Sequence, residues 1–461
     1  MGTTDTKQSG IDRVRHELAQ RIRSVAGDLA GQKHAVVRLS APLENVDPLA
    51  WLSAQTGYPK IYWRDRRDRF RVAGIGYADT VRTSAGGEPG DLFACLRAII
   101  PADNPNVRYF GGFRFAGRDG AREDGWKSFG EYCLWLPRFE VIIDSTGSWL
   151  VCNIVPGADN PETINRVQSV LSNMTLKTES ISGAIPRLSG RSDSPSQPEW
   201  NKNLNQIMDI FHSGDLQKIV LARKTALTFD GELDPWFLLS RHSEQSERQF
   251  VFGLQPQPDS AFIGVTPERL FRRLGDEIEC EALAGTRPRG KTETEDDALG
   301  NELLNSEKDV REHRYVLDSI VENLTDFCSG RVIHEDAAVL KLPSVQHLLS
   351  RLKGKLRPGV TDEDILKSLH PTPAVGGFPR EKALEHLLRL ETFDRGWYAG
   401  PVGWVGANGA EFAVGIRSAL VRGSGVELYA GAGIVEGSRA DAEWDELENK
   451  ISSFLNILTG R

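Results

Sequence analysis

Lys218 lies in the run LQKIVLARKTAL (216–227), which reads as a strand. Alternation sets Lys218, Val220 and Ala222 on one face and Ile219, Leu221 and Arg223 on the other. A lysine among small apolar neighbours has two fates. It can bend its ammonium out to water, or it can stay desolvated with a lowered pKa and act as a base. Two other runs carry carboxylates three residues apart: Asp309 with Glu312, and Glu443 with Glu446. On a helix that spacing puts both side chains on one face, and Lys450, four residues after Glu446, extends the second face. A solvated charged face is one explanation of such pairs. The other is that the two helices face each other and their carboxylate oxygens cage a hard divalent cation such as Mg²⁺. Spacing leaves both open.

The elements that must position these groups follow from periodicity. Residues 10–29 predict an amphipathic helix, and residues 35–153 a series of short strands bounded by Gly, Asp and Pro, which suggests one large antiparallel sheet. A helix is expected over 162–173. A polar stretch rich in Gly, Ser and Pro, 180–198, reads as a linker. A helix over 199–212 follows, with Gly214 just past its end. The Lys218 strand comes next, and residues 267–290 read as strands and a loop. One long helix is expected over 301–327, glycine-punctuated strands over 396–435, and a closing helix over 439–458. Strands and helices come in clumps, which predicts an α+β fold.

The chain has 461 residues and a formal net charge of −8, which argues against a nucleic-acid partner. No apolar run approaches the ~18–20 residues of a membrane span, so no membrane partner is expected. The first twenty residues hold no apolar signal core. The five cysteines, Cys95, Cys133, Cys152, Cys280 and Cys328, form no CxxC pair. Scattered reduced thiols predict a cytoplasmic protein.

Three motif matches mislead. Gly285-Thr-Arg-Pro-Arg-Gly290-Lys291-Thr292 fits a phosphate-binding loop. Glu293, Glu295, Asp296 and Asp297 follow at once and would repel phosphate, so a flexible acidic turn is the expectation. Gly431, Gly433 and Gly437 imitate a dinucleotide fingerprint, but the spacing is too long and no strand follows to close a βαβ unit. Met1-Gly2 to Thr6 fits a loose myristoylation pattern without the second signal that stable anchoring needs. A disordered N-terminus is expected there.

Taken together, the motifs of the second half resemble the chorismate-utilising enzymes. They are KIVLAR (218–223), TPERL (266–270), LAGTRPRG (283–290), DVREH (309–313), SVQHL (344–348), HPTPAVGG (370–377), GIRSA (415–419) and AGAGIVEGS with EWDELENK (430–450). They run in family order over about 250 residues, and each alone is weak. Lys218 stands where isochorismate and salicylate synthases carry a base and anthranilate synthases a glutamine. Ala284 stands where aminodeoxychorismate synthases carry a nucleophilic lysine. The resemblance therefore disfavours the ammonia-using branches, and no glutamine amidotransferase subunit is expected. HPTPAV, with Ala374 and Val375, is similar to the isochorismate synthases. YPKIYWRDR (58–66) and LPRFEV (136–141) are similar to the menaquinone-specific type.

The resemblance implies a site as well. Lys218 would be the base and Glu268 the acid, on opposite ring faces. Glu312 and Glu446 would be the nearest Mg²⁺ ligands, with Asp309 and Glu443 in or near the shell. Arg417 and Tyr398 would bind the pyruvyl carboxylate, with the N–H groups of Gly431 and Gly433 assisting. Lys450, Gly285 and Thr286 would line the ring-carboxylate side, and Ala374 and Tyr429 would join the substrate wall. His347 would position the ring or the C4 hydroxyl, with a structural histidine as the alternative. The implied fold is two stacked antiparallel sheets with helices outside and the site in the cleft between. The implied organisation is one unit over 1–461, with 1–195 a less specific half and 196–461 the chorismate-binding half. The implied reaction is Mg-dependent conversion of chorismate to isochorismate, for menaquinone or siderophore synthesis. The alternatives are a salicylate synthase and a non-catalytic chorismate-binding protein.

Overall fold

The computed structural model describes residues 2–26, 36–82, 96, 100, 104–116, 124–176, 179–244, 246–342 and 345–460. Met1, Leu29, Ala35, Cys95, Gly117 and Ser344, on which parts of these expectations fall, lie outside the described residues.

The first strands are β1 (Val37–Pro42), β2 (Lys60–Arg64), β3 (Arg71–Arg82), β4 (Arg108–Phe113), β5 (Tyr132–Asp144), β6 (Gly147–Ile154) and β7 (Leu188–Ser194). There follow β8 (Lys218–Phe229), β9 (Phe250–Gln257), β10 (Ser260–Thr266), β11 (Arg269–Leu274) and β12 (Glu277–Pro288). The last are β13 (Ile333–His334), β14 (Ala338–Lys341), β15 (Val345–Lys355), β16 (Gly377–Phe378), β17 (Pro401–Gly406), β18 (Gly409–Val414), β19 (Ser418–Arg422) and β20 (Gly425–Val435). The helices are α1 (Gly2–Ala26), α2 (Pro48–Ser53), α3 (Pro161–Asn173), α4 (Gln197–Ser213) and α5 (Pro235–Ser243). After them come α6 (Glu293–Asn305), α7 (Glu307–Phe327), α8 (Asp362–Leu369), α9 (Arg380–Leu390) and α10 (Ala440–Thr459).

All described strand pairs are antiparallel, and the fold is α+β with a large antiparallel sheet. One arm runs β1-β6-β5-β3-β2-β9-β10-β19-β20-β8, with β7 and β16 on the outer edge of β8. The other runs β5-β4-β17-β18-β11-β12-β15, with β13 and β14 at its edge. The two expected sheets are thus arms of one hydrogen-bonded network that share β5. Residues 132–135 of that strand pair β4 and residues 139–144 pair β6. Between them sits Pro137, which has no N–H to give a ladder, and the facing β3 shifts register between Tyr77 and Asp79. Such a bulge bends a strand, which suits one strand to serve two arms.

Two helices set the site, and their apolar stripes fix their rotation. On α7, Val316, Ile320 and Leu324 are at most 2% exposed, four residues apart, against β12 and β15. Burying each contributes roughly 1.5–3 kcal/mol. Continuing that stripe toward the N-terminus turns Asp309, Glu312 and His313 inward, and His313 Nε2 meets Ser350 Oγ at 3.0 Å. On α10, Leu447, Ile451, Phe454 and Leu458 are buried in the same way and the helix lies against β20. The stripe leads back to the buried Glu443 and sets Glu446 and Lys450 beside it.

Several local expectations are corrected. The stretch 180–198 is not a linker: it holds β7, paired to β8. An exposed edge strand buries neither face, so it reads as polar. The helix expected over 301–327 is two helices. Ser306 breaks it and caps α7 by accepting from Asp309 N at 3.3 Å, as serine does at helix starts. The acidic run after Thr292 is helix, not turn. Thr292 caps α6, and Glu293, Glu295 and Asp296 fill its first turn, where the helix dipole favours carboxylates. Gly431 and Gly433 lie within β20 rather than after a strand. The chain start, expected to be disordered, is in α1 from Gly2. The described cysteines, Cys133, Cys152, Cys280 and Cys328, are free and buried. No described helix is long and apolar enough to cross a membrane.

Candidate active site

One cavity is walled by both arms and both carboxylate helices. It is lined by Glu268, Gly285, Thr286, Glu312, His347, Ala374, Tyr398, Arg417, Tyr429, Gly431, Gly433, Glu446 and Lys450. All of these were singled out from sequence. Lys218, Asp309 and Glu443 are not on its wall.

Lys218 is fully buried, which excludes the ammonium bent out to water. It stands directly behind the wall. Its Nζ lies 3.1 Å from Glu312 Oε1 as an ion pair without hydrogen-bond alignment. Gly433 makes room for this contact, because a Cβ there would sit 2.3 Å from Glu312 Oε1 and 3.3 Å from Lys218 Cε. Asp309 turns aside to Arg287 Nη2 at 2.8 Å, and Glu443 to Lys308 Nζ at 2.7 Å. Both of those carboxylates are therefore neutralised by their own cations, outside the cavity.

Glu268 follows β10 and is 3% exposed. Thr266 Oγ1 donates to Val414 O at 2.7 Å and Val414 N to Glu268 O at 3.0 Å, which pins the corner. Burial is the largest influence on its carboxyl and pushes the pKa up to about 8. Lys218, Lys450 and Arg66 pull it down and Glu281 adds to the rise. Glu268 is thus protonated at neutral pH, as a general acid must be.

The cavity wall also carries two cations, Arg417 and Lys450. Arg417 donates to Lys450 O at 2.9 Å, and burial lowers its pKa only to about 10, so it stays charged. Its φ of +51° is left-handed, which costs a non-glycine residue about 1–2 kcal/mol. The backbone bond from Val265 N to Arg417 O at 3.1 Å helps hold it. Lys450 Nζ bonds Gly431 O at 2.9 Å and Glu446 Oε1 at 2.5 Å. Burial alone would raise the Glu446 pKa, but Lys450 and then Lys308 leave it lowered. Tyr398 stacks on Tyr429 with centroids 5.2 Å apart, and Tyr429 donates to Glu427 at 2.6 Å.

His347 is neutral, because burial drives its pKa down to about 3, helped by Arg417. Its Nδ1 meets Gly285 O at 2.9 Å, so Nδ1 carries the proton and donates there. Thr286 Oγ1 lies 3.2 Å from the same nitrogen. Nε2 is left as a buried acceptor without a partner in the described structure. That orphan atom, on a cavity-lining residue, can take a hydrogen bond from a ligand hydroxyl.

A divalent cation fits this chemistry. Glu312 and Glu446 bring carboxylate oxygens from two helices to one wall. Gly433 keeps the space beside Glu312 free of a side chain. The phosphate-loop match does not survive. The N–H of Gly290 donates to Asp296 at 2.9 Å, that of Lys291 to Glu295 at 2.8 Å and that of Glu295 to Thr292 at 3.2 Å, so this chain's own oxygens occupy the donors. The dinucleotide match fails as well, since the strand beside Gly431 and Gly433, β8, runs antiparallel to theirs.

The sequence reading missed the apolar wall, Val220, Leu283, Val375 and Ile416. Each sits inside or beside a recognised motif, so adjacency was the available signal. Ala284 also lines the cavity, as a methyl group.

Known proteins with this architecture are similar along nearly the whole chain. Isochorismate synthase 2, chloroplastic, of Arabidopsis thaliana is 35% identical, over 99% of this chain and 87% of its own. Isochorismate synthase MenF of Bacillus subtilis is 31% identical, over 93% and 94%. The solved structure of MenF, the menaquinone-specific isochorismate synthase from Escherichia coli, superposes with a TM-score of 0.84 at 26% identity, covering 96% of this chain and 100% of that one. Anthranilate synthase component I from Streptococcus pneumoniae shares the fold, with a TM-score of 0.70 at 21% identity over 84% and 92%. A family model described as chorismate binding enzyme matches residues 20–459, and the chain belongs to that family.

Proposed function

We propose that the protein is an isochorismate synthase, an isomerase that adds water at C2 of chorismate and expels the C4 hydroxyl. The observation that carries this reading is a buried acid and a buried lysine beside one cavity that Arg417 and Lys450 also line. Glu268 is held protonated, and Lys218 is sealed behind Gly433 and Glu312. The Arabidopsis thaliana, Bacillus subtilis and Escherichia coli proteins named above carry the same activity in their names.

Arg417 and Lys450 bind the two substrate carboxylates, Arg417 by paired N–H bonds to the pyruvyl group with Tyr398 beside it. Gly285 and Thr286 line the ring-carboxylate side, and the N–H groups of Gly431 and Gly433 assist. His347 Nε2 accepts from a ring hydroxyl and fixes the ring's rotation. Lys218, acting as the base, takes a proton from the incoming water as its oxygen bonds C2. Glu268 gives its proton to the C4 oxygen as that bond breaks, and both ring double bonds shift, from C1=C2 to C1=C6 and from C5=C6 to C4=C5. One hydroxyl enters and one leaves, so the product is an isomer, and a proton returned from Lys218 to Glu268 through solvent resets the pair. Glu312 and Glu446 would hold Mg²⁺, which when bound stabilises negative charge on the ring carboxylate. Asp309 and Glu443 orient those helices through Arg287 and Lys308.

No ammonia is consumed, so no amidotransferase subunit is required. A lysine nucleophile is missing from the position that Ala284 fills. The pathway served is menaquinone synthesis, on the likeness to the menaquinone-specific enzyme, with siderophore synthesis as the other destination. A cytoplasmic location accords with the free, buried thiols.

The test is to incubate the protein with chorismate and Mg²⁺ and to resolve the products by chromatography. Isochorismate with little pyruvate is expected. Stoichiometric pyruvate release would make it a salicylate synthase, and ammonia-dependent anthranilate would overturn the reading.

A further inference from the structure

The outer edge of β8 is covered by two short partners with a gap between them. Residues 218 and 219 pair β16, and residues 224–229 pair β7. Between them, Val220 and Ala222 point their peptide groups outward with no strand among the described residues alongside. Val220 N donates to Gly376 O at 2.9 Å. Two of the other three groups meet side chains. Arg395 donates to Val220 O at 2.6 Å, and Ala222 N donates to Glu391 Oε1 at 2.9 Å.

Arg395 and Glu391 also bind each other, at 2.5 and 2.8 Å, and are 4% and 6% exposed. The same guanidinium donates to Val375 O at 2.9 Å. Its flat face lies 4.2 Å from the Phe115 ring centroid, and Tyr398 is three residues on along the chain. One buried ion pair therefore ties the strand that carries Lys218 to the loop that carries Ala374 and Val375. Val220, Val375 and Tyr398 all line the cavity.

We propose that Glu391 and Arg395 are positioning residues that stand in for a missing strand on β8 and hold Lys218 in register with the cavity wall. This rests on the reading of Lys218 as the base. A sheet edge normally obtains its rigidity from a continuous ladder of backbone bonds. Here a second strand would fill the space in which the 371–376 loop closes the site. A side-chain pair supplies the same donor and acceptor without occupying that space. The guanidinium suits the task, because its fork bonds two carbonyls and a carboxylate at once.

The test uses Arg395→Lys and Glu391→Gln in the full chain with Mg²⁺. Lysine keeps the charge but cannot reach all three acceptors. Glutamine keeps an acceptor for Ala222 N and removes the charge. Arg395→Lys should lower kcat by about 10²-fold, the loss expected from a misplacement near 1 Å. Chorismate Kd should stay within about three-fold, since the carboxylate-binding groups sit on other elements. Glu391→Gln should fall between Arg395→Lys and the parent. A folded Arg395→Lys with kcat within about two-fold of the parent overturns the proposal, as does a loss confined to KM. Failure of both variants to fold assigns the pair to stability alone and also overturns it. Lys218→Ala run beside them separates the two ideas. If it keeps turnover, the base assignment fails. If it abolishes turnover while the Arg395 and Glu391 variants keep theirs, only the positioning role fails.

Discussion

Glu268→Gln should make the protein more stable while it abolishes turnover. The cause is the cost of keeping a carboxyl group in a dry pocket. Burial raises the Glu268 pKa from 4.5 to about 8. Below the unfolded value both states hold the proton and nothing is lost. As pH rises toward the folded value, the unfolded chain ionises and the folded one does not. Native stability therefore falls through the interval from about 4.5 to about 8 and levels off above it. At about 1.36 kcal/mol per unit, the accumulated loss near pH 7 is on the order of 3 kcal/mol. Glutamine has nearly the same shape and no proton to lose, so the variant escapes that loss. Denaturant unfolding of parent and variant without Mg²⁺, at half-unit steps from pH 4.5 to 8.5, measures the difference. The two curves should meet at the acid end and separate steadily toward pH 8, with Glu268→Gln the more stable. Turnover in the variant should drop by roughly 10²–10⁴-fold, as for loss of one proton donor. A stability difference that does not vary with pH, or a variant less stable at pH 8, would refute the claim that burial holds this carboxyl protonated.

The same ionisation predicts an alkaline limit to catalysis: kcat should fall as pH passes about 8, where Glu268 loses the proton it must donate, and a kcat–pH profile at saturating chorismate checks it. Gly433→Ala should displace Glu312 or Lys218, because the new methyl would lie 2.3 Å from Glu312 Oε1. Its Mg²⁺ requirement should rise by about ten-fold or more, and unchanged Mg²⁺ titrations of turnover would show that the glycine is not needed there. Glu312→Gln and Glu446→Gln should each lose turnover and weaken Mg²⁺ binding in calorimetry, and full activity of the parent in excess chelator would remove the metal assignment altogether.

Much of the site was legible in the sequence because its groups sit in local motifs of fixed spacing. The i, i+3 carboxylate pairs and the strand alternation around Lys218 depend on neighbours a few residues away, and the family motif TPERL marked Glu268. The α+β class was legible for the same reason, since periodicity is a local property. What the chain could not disclose by itself was set by contacts between distant segments. Alternation placed Lys218 on an apolar face but left open whether it reached water, and α7 and β20 closing over it decided that. Spacing treated Asp309 and Glu443 like Glu312 and Glu446. Arg287 and Lys308, supplied by β12 and by the start of α7, turned the first two away from the cavity. The stretch 180–198 looked like a linker because an edge strand buries neither face, and only its pairing with β8 makes it a strand. The Glu391–Arg395 pair gave no signal at all. Its partners, Val220, Ala222 and Val375, lie 20 to 175 residues away in sequence. A side chain that completes the edge of a sheet is recognisable only once the sheet exists, because the gap it fills is a property of the assembled strands.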